Sequence, residues 1–300
     1  MSILTNFPAI PSRIAIGCEY LQFCGEGGIT KEAFATQISP EPIKGGEGDE
    51  FAKTPMAELV LKEMLALGVA DDIGGSVRLS TALPSRNLSL QQWMDWLRPW
   101  IRARINDVEL AAQTGQGGVA QAIAWLLCQD PRQPMRTSTV HAERLIAQLG
   151  STDALGVDMA NNSRFQNLVY WARYLGYAEA LGLKGSWTVL PDPTRAVREM
   201  LPEVFKDRTE LSASAFVERL GALNPVMEFG SLREEIESRL PASCQRRDQH
   251  FSLSTSVALK RLKQTGDIDL HFESDAQRWV LDDGRAGIRV SRLTWPGGRQ

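Results

Sequence analysis

The sequence predicts a mainly α-helical protein with small β-hairpins, an α+β chain of tandem winged-helix domains joined by a helical connector. Three observations carry this. Short segments place apolar residues at helical spacing. Brief extended runs follow them, broken by tight glycine turns of the kind hairpins need. The order of helices then hairpin comes round three times in 300 residues, as a pattern of elements and not as a sequence repeat of fixed period. The predicted organisation is a winged helix over 1–84, a connector over 85–136, a second winged helix over 137–203, a third over 204–295 and a loose tail at 296–300.

In the first module, Pro11 and Ser12 open a helix, and Ile14, Ala15, Cys18 and Leu21 form its apolar side. Gly25, Gly27 and Gly28 stop it. Thr30 is the expected N-cap of a second helix over 30–38. Pro40 and Pro42 end that helix, and the glycine-rich acidic run 43–50 is a surface loop. A third helix over about 54–67 carries Met56, Val60, Met64 and Leu67, with Gly68 as its C-cap. Two extended runs flanking Gly74-Gly75 make the hairpin, and the third helix is the one that such a fold offers to the DNA major groove.

The connector holds Leu90, Trp93, Met94, Leu97 and Ile101 at helical spacing and gathers Trp93, Trp96, Trp100 and Trp125. These aromatics read as packing between modules, in preference to a partner-binding groove. A second connector helix, about 118–128, follows Gly115, Gly117 and Gly118.

In the second module, Thr139 caps a helix through Ala147, and Asn162 or Ser163 caps another through Tyr174. Gly176 stops the latter, and a hairpin turns at 182–185 before a helix over 194–201. In the third, Ser212 caps a helix striped by Phe216, Val217 and Leu220. A further helix covers 231–239, and Ser254 or Thr255 caps another bearing Val257, Leu259 and Leu262. DIDLHFE and RWVLD, joined at SDAQ, form the expected hairpin, and RVSRLTW adds a strand.

Composition excludes several classes. Apolar residues make up 43% and charged residues 23%, with a net charge of -3. That balance is unlike a protein that coats nucleic acid by bulk charge, so any DNA contact must come from a local patch. The four cysteines Cys18, Cys24, Cys128 and Cys244 have no metal-ligand spacing and read as reduced, mostly buried thiols. The start lacks a basic region followed by an apolar core, and no run reaches the roughly 18–20 apolar residues of a membrane span. A cytoplasmic, membrane-free protein is expected.

The search for chemistry yields no convincing catalytic site, no cofactor and no metal set. His141-Ala142-Glu143 resembles the opening of a zinc deaminase motif but lacks a downstream P-C-x-x-C, so His141 is expected to be a solvent-facing helical residue. His271 is expected on the exposed face of a wing. GEGGITK lacks the spacing of a phosphate-cradling loop. TGQGGV at 114–119 has no preceding strand, and Asp192, Glu199 and Glu203 lack the lysine a nuclease carboxylate set would need.

Charge is unevenly spread. The first module holds six basic and eleven acidic residues, and its third helix mixes Lys53 and Lys62 with Glu58 and Glu63. It is a poor phosphate reader and a better surface for a protein partner. The third module is close to neutral but gathers Arg246, Arg247, His250, Lys260, Arg261 and Lys263 before and along its third predicted helix. Ser252, Ser254, Thr255 and Ser256 at that helix start add donors for phosphates. The DNA-facing reading and an ordinary solvated helix face stand about equal here.

The opening AIPSRI, the central LPDPTRAVREMLP and the phrase FVERLGALNPVMEFGS, within three winged-helix-like units, resemble the DpdG-type proteins of bacterial deazaguanine DNA-modification and phage-defence islands. The resemblance covers most of the chain and implies an accessory subunit working beside modification or restriction enzymes on DNA. It implies no catalytic residues. The expectation is a non-enzymatic binding module. Arg246, Arg247, Lys260, Arg261 and Lys263 would face double-stranded DNA, and other subunits of the system would be partners. A winged-helix transcriptional regulator and a purely protein-binding adaptor are the alternatives.

Overall fold

A computed structural model of the chain describes residues 2–39, 56–84, 87–136, 140–183, 186–274, 277–282 and 287–299. The expected acidic loop at 43–50, Lys53, the Thr139 cap and parts of two expected turns lie outside them. The described chain is mainly helical with four small three-stranded sheets. It divides into two compact units, Met1–Gly117 and Gly118–Gln300.

In the N-terminal unit, α1 (Pro11–Cys24) begins with proline in its first turn and ends at Gly25, whose φ of 72° suits glycine. The Thr30 hydroxyl caps α2 (Lys31–Ile38) by accepting from the Ala33 N–H at 3.1 Å. Next come α3 (Met56–Ala66), β2 (Ala70–Ile73) and β3 (Ser76–Leu79), and β1 (Ile29–Thr30) completes a sheet of order β1-β3-β2. Gly74 and Gly75 turn the hairpin with φ of 61° and 86°, the double positive φ of a type I′ turn.

Helix α4 (Leu90–Asn106) starts with a capping box between Ser89 and Gln92. It packs on α1 through the buried Trp93, Leu97, Ile101 and Ile105. The helix expected as a connector is therefore part of this unit's core. Its last turn reaches back over the end of α3. Arg104 Nε donates to the Leu67 carbonyl at 2.6 Å while its guanidinium lies 3.8 Å from the Trp100 ring centre. Helix α5 (Val108–Gln113) follows.

One buried carboxylate ties this unit together. Glu63, on α3, is fully buried and accepts from Asn6 Nδ2 at 3.1 Å and Gln116 Nε2 at 2.8 Å. Gln116 Oε1 in turn accepts from the Ile3 N–H. Burial pushes the Glu63 pKa above its ordinary 4.5, and the two amide donors oppose this without cancelling it. The folded state then binds more protons than the unfolded one once pH exceeds 4.5, so stability falls as pH rises toward the raised value. Thermal melts between pH 4 and pH 8 should trace that decline, and Glu63→Gln should flatten it. An unchanged slope in the variant would assign the pH dependence elsewhere.

In the C-terminal unit, α6 (Gly117–Leu127) is buried on nearly every side. β4 (Met135–Arg136) and α7 (Val140–Leu149) follow, then α8 (Asn162–Leu175), β5 (Ala178–Leu183) and β6 (Ser186–Pro191), with sheet order β4-β6-β5. The cap of α8 is Asn161, one residue before the expected pair, and it accepts from the Ser163 N–H at 2.8 Å. His141 is not at the surface. It is fully buried, stacked on Phe165 with centres 4.0 Å apart, and its Nε2 lies 2.8 Å from the Met159 carbonyl. The imidazole edge has a carbonyl to satisfy it and the ring face an aromatic to cover it, so the core accepts it.

The rest of this unit holds α9 (Thr194–Phe205), β7 (Glu210–Ser212), α10 (Ala213–Leu223) and α11 (Ser231–Arg239). It ends with β8 (His250–Phe251), α12 (Leu253–Gln264), β9 (Asp269–His271), β10 (Trp279–Leu281), β11 (Ile288–Val290) and β12 (Arg292–Thr294). The expected hairpin between DIDLHFE and RWVLD does not form. β9 pairs with β12, which is central in the order β7-β12-β9, whereas β10 pairs antiparallel with β11 and parallel with β8. The pattern of burial explains this. Trp279 and Leu281 of β10 are buried, with the Trp279 ring 5.2 Å from that of Phe251. On the other sheet Leu293 of β12 sits between Leu211 and Leu270. RVSRLTW thus supplies parts of two strands, not one. His271 is half-buried, its Nε2 3.0 Å from the Thr294 hydroxyl.

Candidate functional site

The predicted cationic residues fall on two separate features of the C-terminal unit. Lys260, Arg261 and Lys263 lie on α12. That helix buries Ala258, Leu259 and Leu262 and packs on α9. Its cap is Ser252, whose hydroxyl accepts from the Thr255 N–H at 3.3 Å. The helix-start hydroxyls do not face solvent. Ser254 is 1%, Thr255 2% and Ser256 0% exposed. Ser254 donates to the Leu127 carbonyl at 2.6 Å, and Ser256 accepts from the Asp282 N–H at 3.0 Å. A helix N-terminus held down by β8 spends its hydroxyls on the fold, so these serines are not phosphate donors.

Along α12, Arg261 and Lys263 are exposed and Lys260 is half-buried. Arg261 pairs with the buried Asp192, whose carboxylate also accepts from the Thr194 N–H at 3.1 Å and so starts α9. Beyond the end of α12, Arg198 of α9 pairs with Asp267 at 2.9 Å. Two ion pairs thus tie the C-terminal end of α12 to α9 and the residue leading into it.

Arg246 and Arg247 line a cleft of about 320 Å³ between the chain around α7, helix α11 and the approach to β8. Arg132, Arg144, Arg233 and His250 line it too, with Asp130, Glu237 and Asp282 as its acids. Arg246 is only 17% exposed and sits over the Phe229 ring at 4.4 Å. Behind it Glu228, fully buried, lies 3.4 Å from Arg246 Nε and accepts from the Ser252 N–H at 3.0 Å. Burial pushes the Glu228 carboxyl up, and Arg246 and Arg233 pull it back. Arg233, 2% exposed, donates from Nε to Glu237 at 2.7 Å. Cys128 and Cys244 also border the cleft. Burial pushes the Cys128 thiol up to about 12, which keeps it protonated and poorly nucleophilic at neutral pH.

A close backbone contact presents Glu228 and Phe229. Gly221 of α10 has no room for a side chain, since a Cβ would stand 2.5 Å from the Phe229 carbonyl carbon and 2.6 Å from the Glu228 carbonyl oxygen. Phe229 takes a positive φ of 61° there. Asn224 Nδ2 donates to the Tyr177 hydroxyl at 2.8 Å, fixing the loop from its other side.

A family model described as DpdG-like matches residues 1–276. The chain belongs to the DpdG-like family. No curated protein and no solved structure matches it. In this DpdG-like protein the two longer phrases that carry the resemblance have clear structural duties. LPDPTRAVREMLP supplies Asp192, which starts α9 and holds Arg261. FVERLGALNPVMEFGS supplies Gly221, Glu228 and Phe229, which brace the cleft. Sequence reasoning missed Glu228, Arg233, Arg132 and Arg144. The available signal was the lone acid in the apolar run NPVMEFG, which must be buried with a partner or carry a cost. Among the described residues no helix is long and apolar enough to cross a membrane, and no cluster of three metal-ligating side chains is present.

Proposed function

We propose that this DpdG-like protein is a non-enzymatic, DNA-binding adaptor subunit of a bacterial deazaguanine DNA-modification and phage-defence system, built from three winged-helix modules. The observation that carries the reading is a recurrent strand order. Three of the four sheets, β1-β3-β2, β4-β6-β5 and β7-β12-β9, place the last strand in the middle and the strand after the module's first helix at one side. Each such sheet goes with a run of helix, strand and further helices before its closing strands. This supports modules that begin with α1, α6 and α9. Helices α6 and α9 then open the second and third modules, in place of a connector helix and a trailing helix. Family membership supports the modification-system setting.

Within this plan the helices that offer themselves to DNA are α3, α8 and α12. Helix α3 exposes Glu58 beside Lys62, and α8 is largely buried, so α12 with Lys260 and Lys263 is the phosphate-facing one. The acidic first module is the surface for a protein partner. The non-enzymatic part of the reading rests on the sequence, which offers no motif with nucleophile and base at working spacing.

Fluorescence anisotropy with duplex DNA across a salt series tests this. Lys263→Ala is expected to reduce the slope of log K against log salt by about one, and Lys260/Lys263→Ala by at least as much. Arg261→Ala should change it by less than about one, because Asp192 already neutralises that charge. Absence of duplex binding by the wild type at low salt would remove DNA from the reading and leave the adaptor. A symmetric dimer on matched half-sites would instead favour a transcriptional regulator.

A further inference from the structure

We infer that the arginine-lined cleft of the C-terminal unit is a binding site for a phosphate monoester of small-molecule size. That the ester is a nucleotide 5′-phosphate rests on the DNA-linked role proposed above, whereas the anion site itself does not.

Size sets the first limit. About 320 Å³ lies at the lower end of the range for small-ligand pockets, and it admits a single nucleotide or a strand end but no duplex. Charge sets the second. Five arginines from four stretches of chain meet three lining carboxylates, Asp130, Glu237 and Asp282. Arg132 is matched by Asp130, with bonds of 2.9 Å and 2.8 Å. Arg233 is matched by Glu237, and Arg246 by Glu228. Arg144 gives Nη1 to the Gln133 carbonyl at 3.1 Å, which is not a countercharge. Arg247 is exposed, and its guanidinium makes no hydrogen bond to the described residues. Among the described residues Arg144 and Arg247 have no ion-pair partner, and with Asp282 also on the lining the cleft keeps an excess of one positive charge. Gathering like charge on one concave surface raises the local potential and favours an anion there.

The third observation is the buried Arg233. Glu237 holds its Nε, and among the described residues its Nη nitrogens make no hydrogen bond, while the residue lines the cleft. A guanidinium fixed at one edge with its fork free is suited to donate to two phosphate oxygens in parallel, and its orientation is set before the ligand arrives. Arg233 therefore orients the phosphate, and Arg144 and Arg247 supply the excess positive charge.

Isothermal titration of the full chain with inorganic phosphate, a deoxynucleoside 5′-monophosphate and the matching nucleoside provides the test. Phosphate and nucleotide are expected to bind and the nucleoside not. Arg144→Ala/Arg247→Ala, at positions outside the core, should weaken nucleotide binding by about tenfold or more. Lys260/Lys263→Ala should leave it unchanged. Single strands with 5′-phosphate or 5′-hydroxyl ends, used as competitors, separate the two sources of the ester. Competition by the phosphorylated strand alone assigns a strand end, and its absence with nucleotide bound assigns a free nucleotide. Equal binding of nucleoside and nucleotide would overturn the inference. So would full affinity in the double arginine variant, or no binding of phosphate and nucleotide at millimolar concentration. Duplex binding without nucleotide binding fails this inference alone, and nucleotide binding without duplex binding fails only the DNA-interface reading.

Discussion

Replacing Gly221 with valine is expected to destabilise the C-terminal unit by about 3 kcal/mol, as severe overpacking does. The position is interior to α10, and glycine there has no conformational excuse, since it is helical. What it provides is space. A Cβ would fall within 2.6 Å of the backbone of Glu228, Phe229 and Gly230. Backbone atoms cannot swing aside as a side-chain tip can, so the loop would have to lift from the helix. Lifting it would withdraw Glu228 from the Ser252 N–H and Phe229 from Arg246. Hydrogen exchange at the amides of α10 and α12 isolates this unit's stability from that of the N-terminal unit, which matters because a two-unit chain need not unfold in one step. Gly117→Ala is the control. A Cβ there meets nothing within 4 Å, and the change should stay within about 0.5 kcal/mol.

Glu228→Ala should cost about 3–5 kcal/mol, the range seen when one partner of a buried ion pair is removed. Glu228 is fully buried, and its loss leaves Arg246, 17% exposed, with a charge facing aromatic rings and no carboxylate. It also strips the acceptor from the Ser252 N–H at the start of α12. Glu228→Gln keeps an acceptor for that N–H and removes only the charge, so it should lose less. If the two variants were equally destabilised, the backbone bond would carry nothing and the ion pair everything. The contrast with Arg261→Ala is instructive. That arginine is half exposed, and its pairing with Asp192 should be worth at most about 1 kcal/mol to stability.

The legible parts of this fold were those decided within a few residues. Thr30 and Ser212 cap helices as their positions foretell, because a hydroxyl beside the first free N–H groups finds them without help from elsewhere. Gly74-Gly75 turns a hairpin because only glycine takes two positive φ values cheaply. Gly176, with φ of 85°, ends α8 for the same reason. The cap of α8 lay one residue away from the expected pair because Asn161, Asn162 and Ser163 are all competent, and only packing chooses among them. The candidate site was half legible. The cationic residues around α12 were found as a cluster in sequence, yet they divide between a helix face and a cleft. The carboxylates that claim Arg246 and Arg261 lie at Glu228 and Asp192, 18 and 69 positions away in sequence.

By itself, the sequence determined that this is a mainly helical chain with small sheets, the Thr30 and Ser212 caps, the Gly74-Gly75 turn and the Gly176 stop, and its membership of the DpdG-like family. Those properties rest on local sterics, local hydrogen bonds and short phrases, all of which are written in contiguous residues. Only the tertiary structure decided which strands pair after α12. Trp279 and Leu281 bury against Phe251, and Leu293 lies between Leu211 and Leu270, so β9 and β10 part company despite their proximity in sequence. It also decided that His141 is a core residue, that the α12 serines serve the fold, and that five arginines share one cleft. Each of those outcomes turns on burial and on charge partners brought from distant positions. A side chain's chemistry is fixed by its type, but its charge balance and exposure are fixed by its neighbours in space.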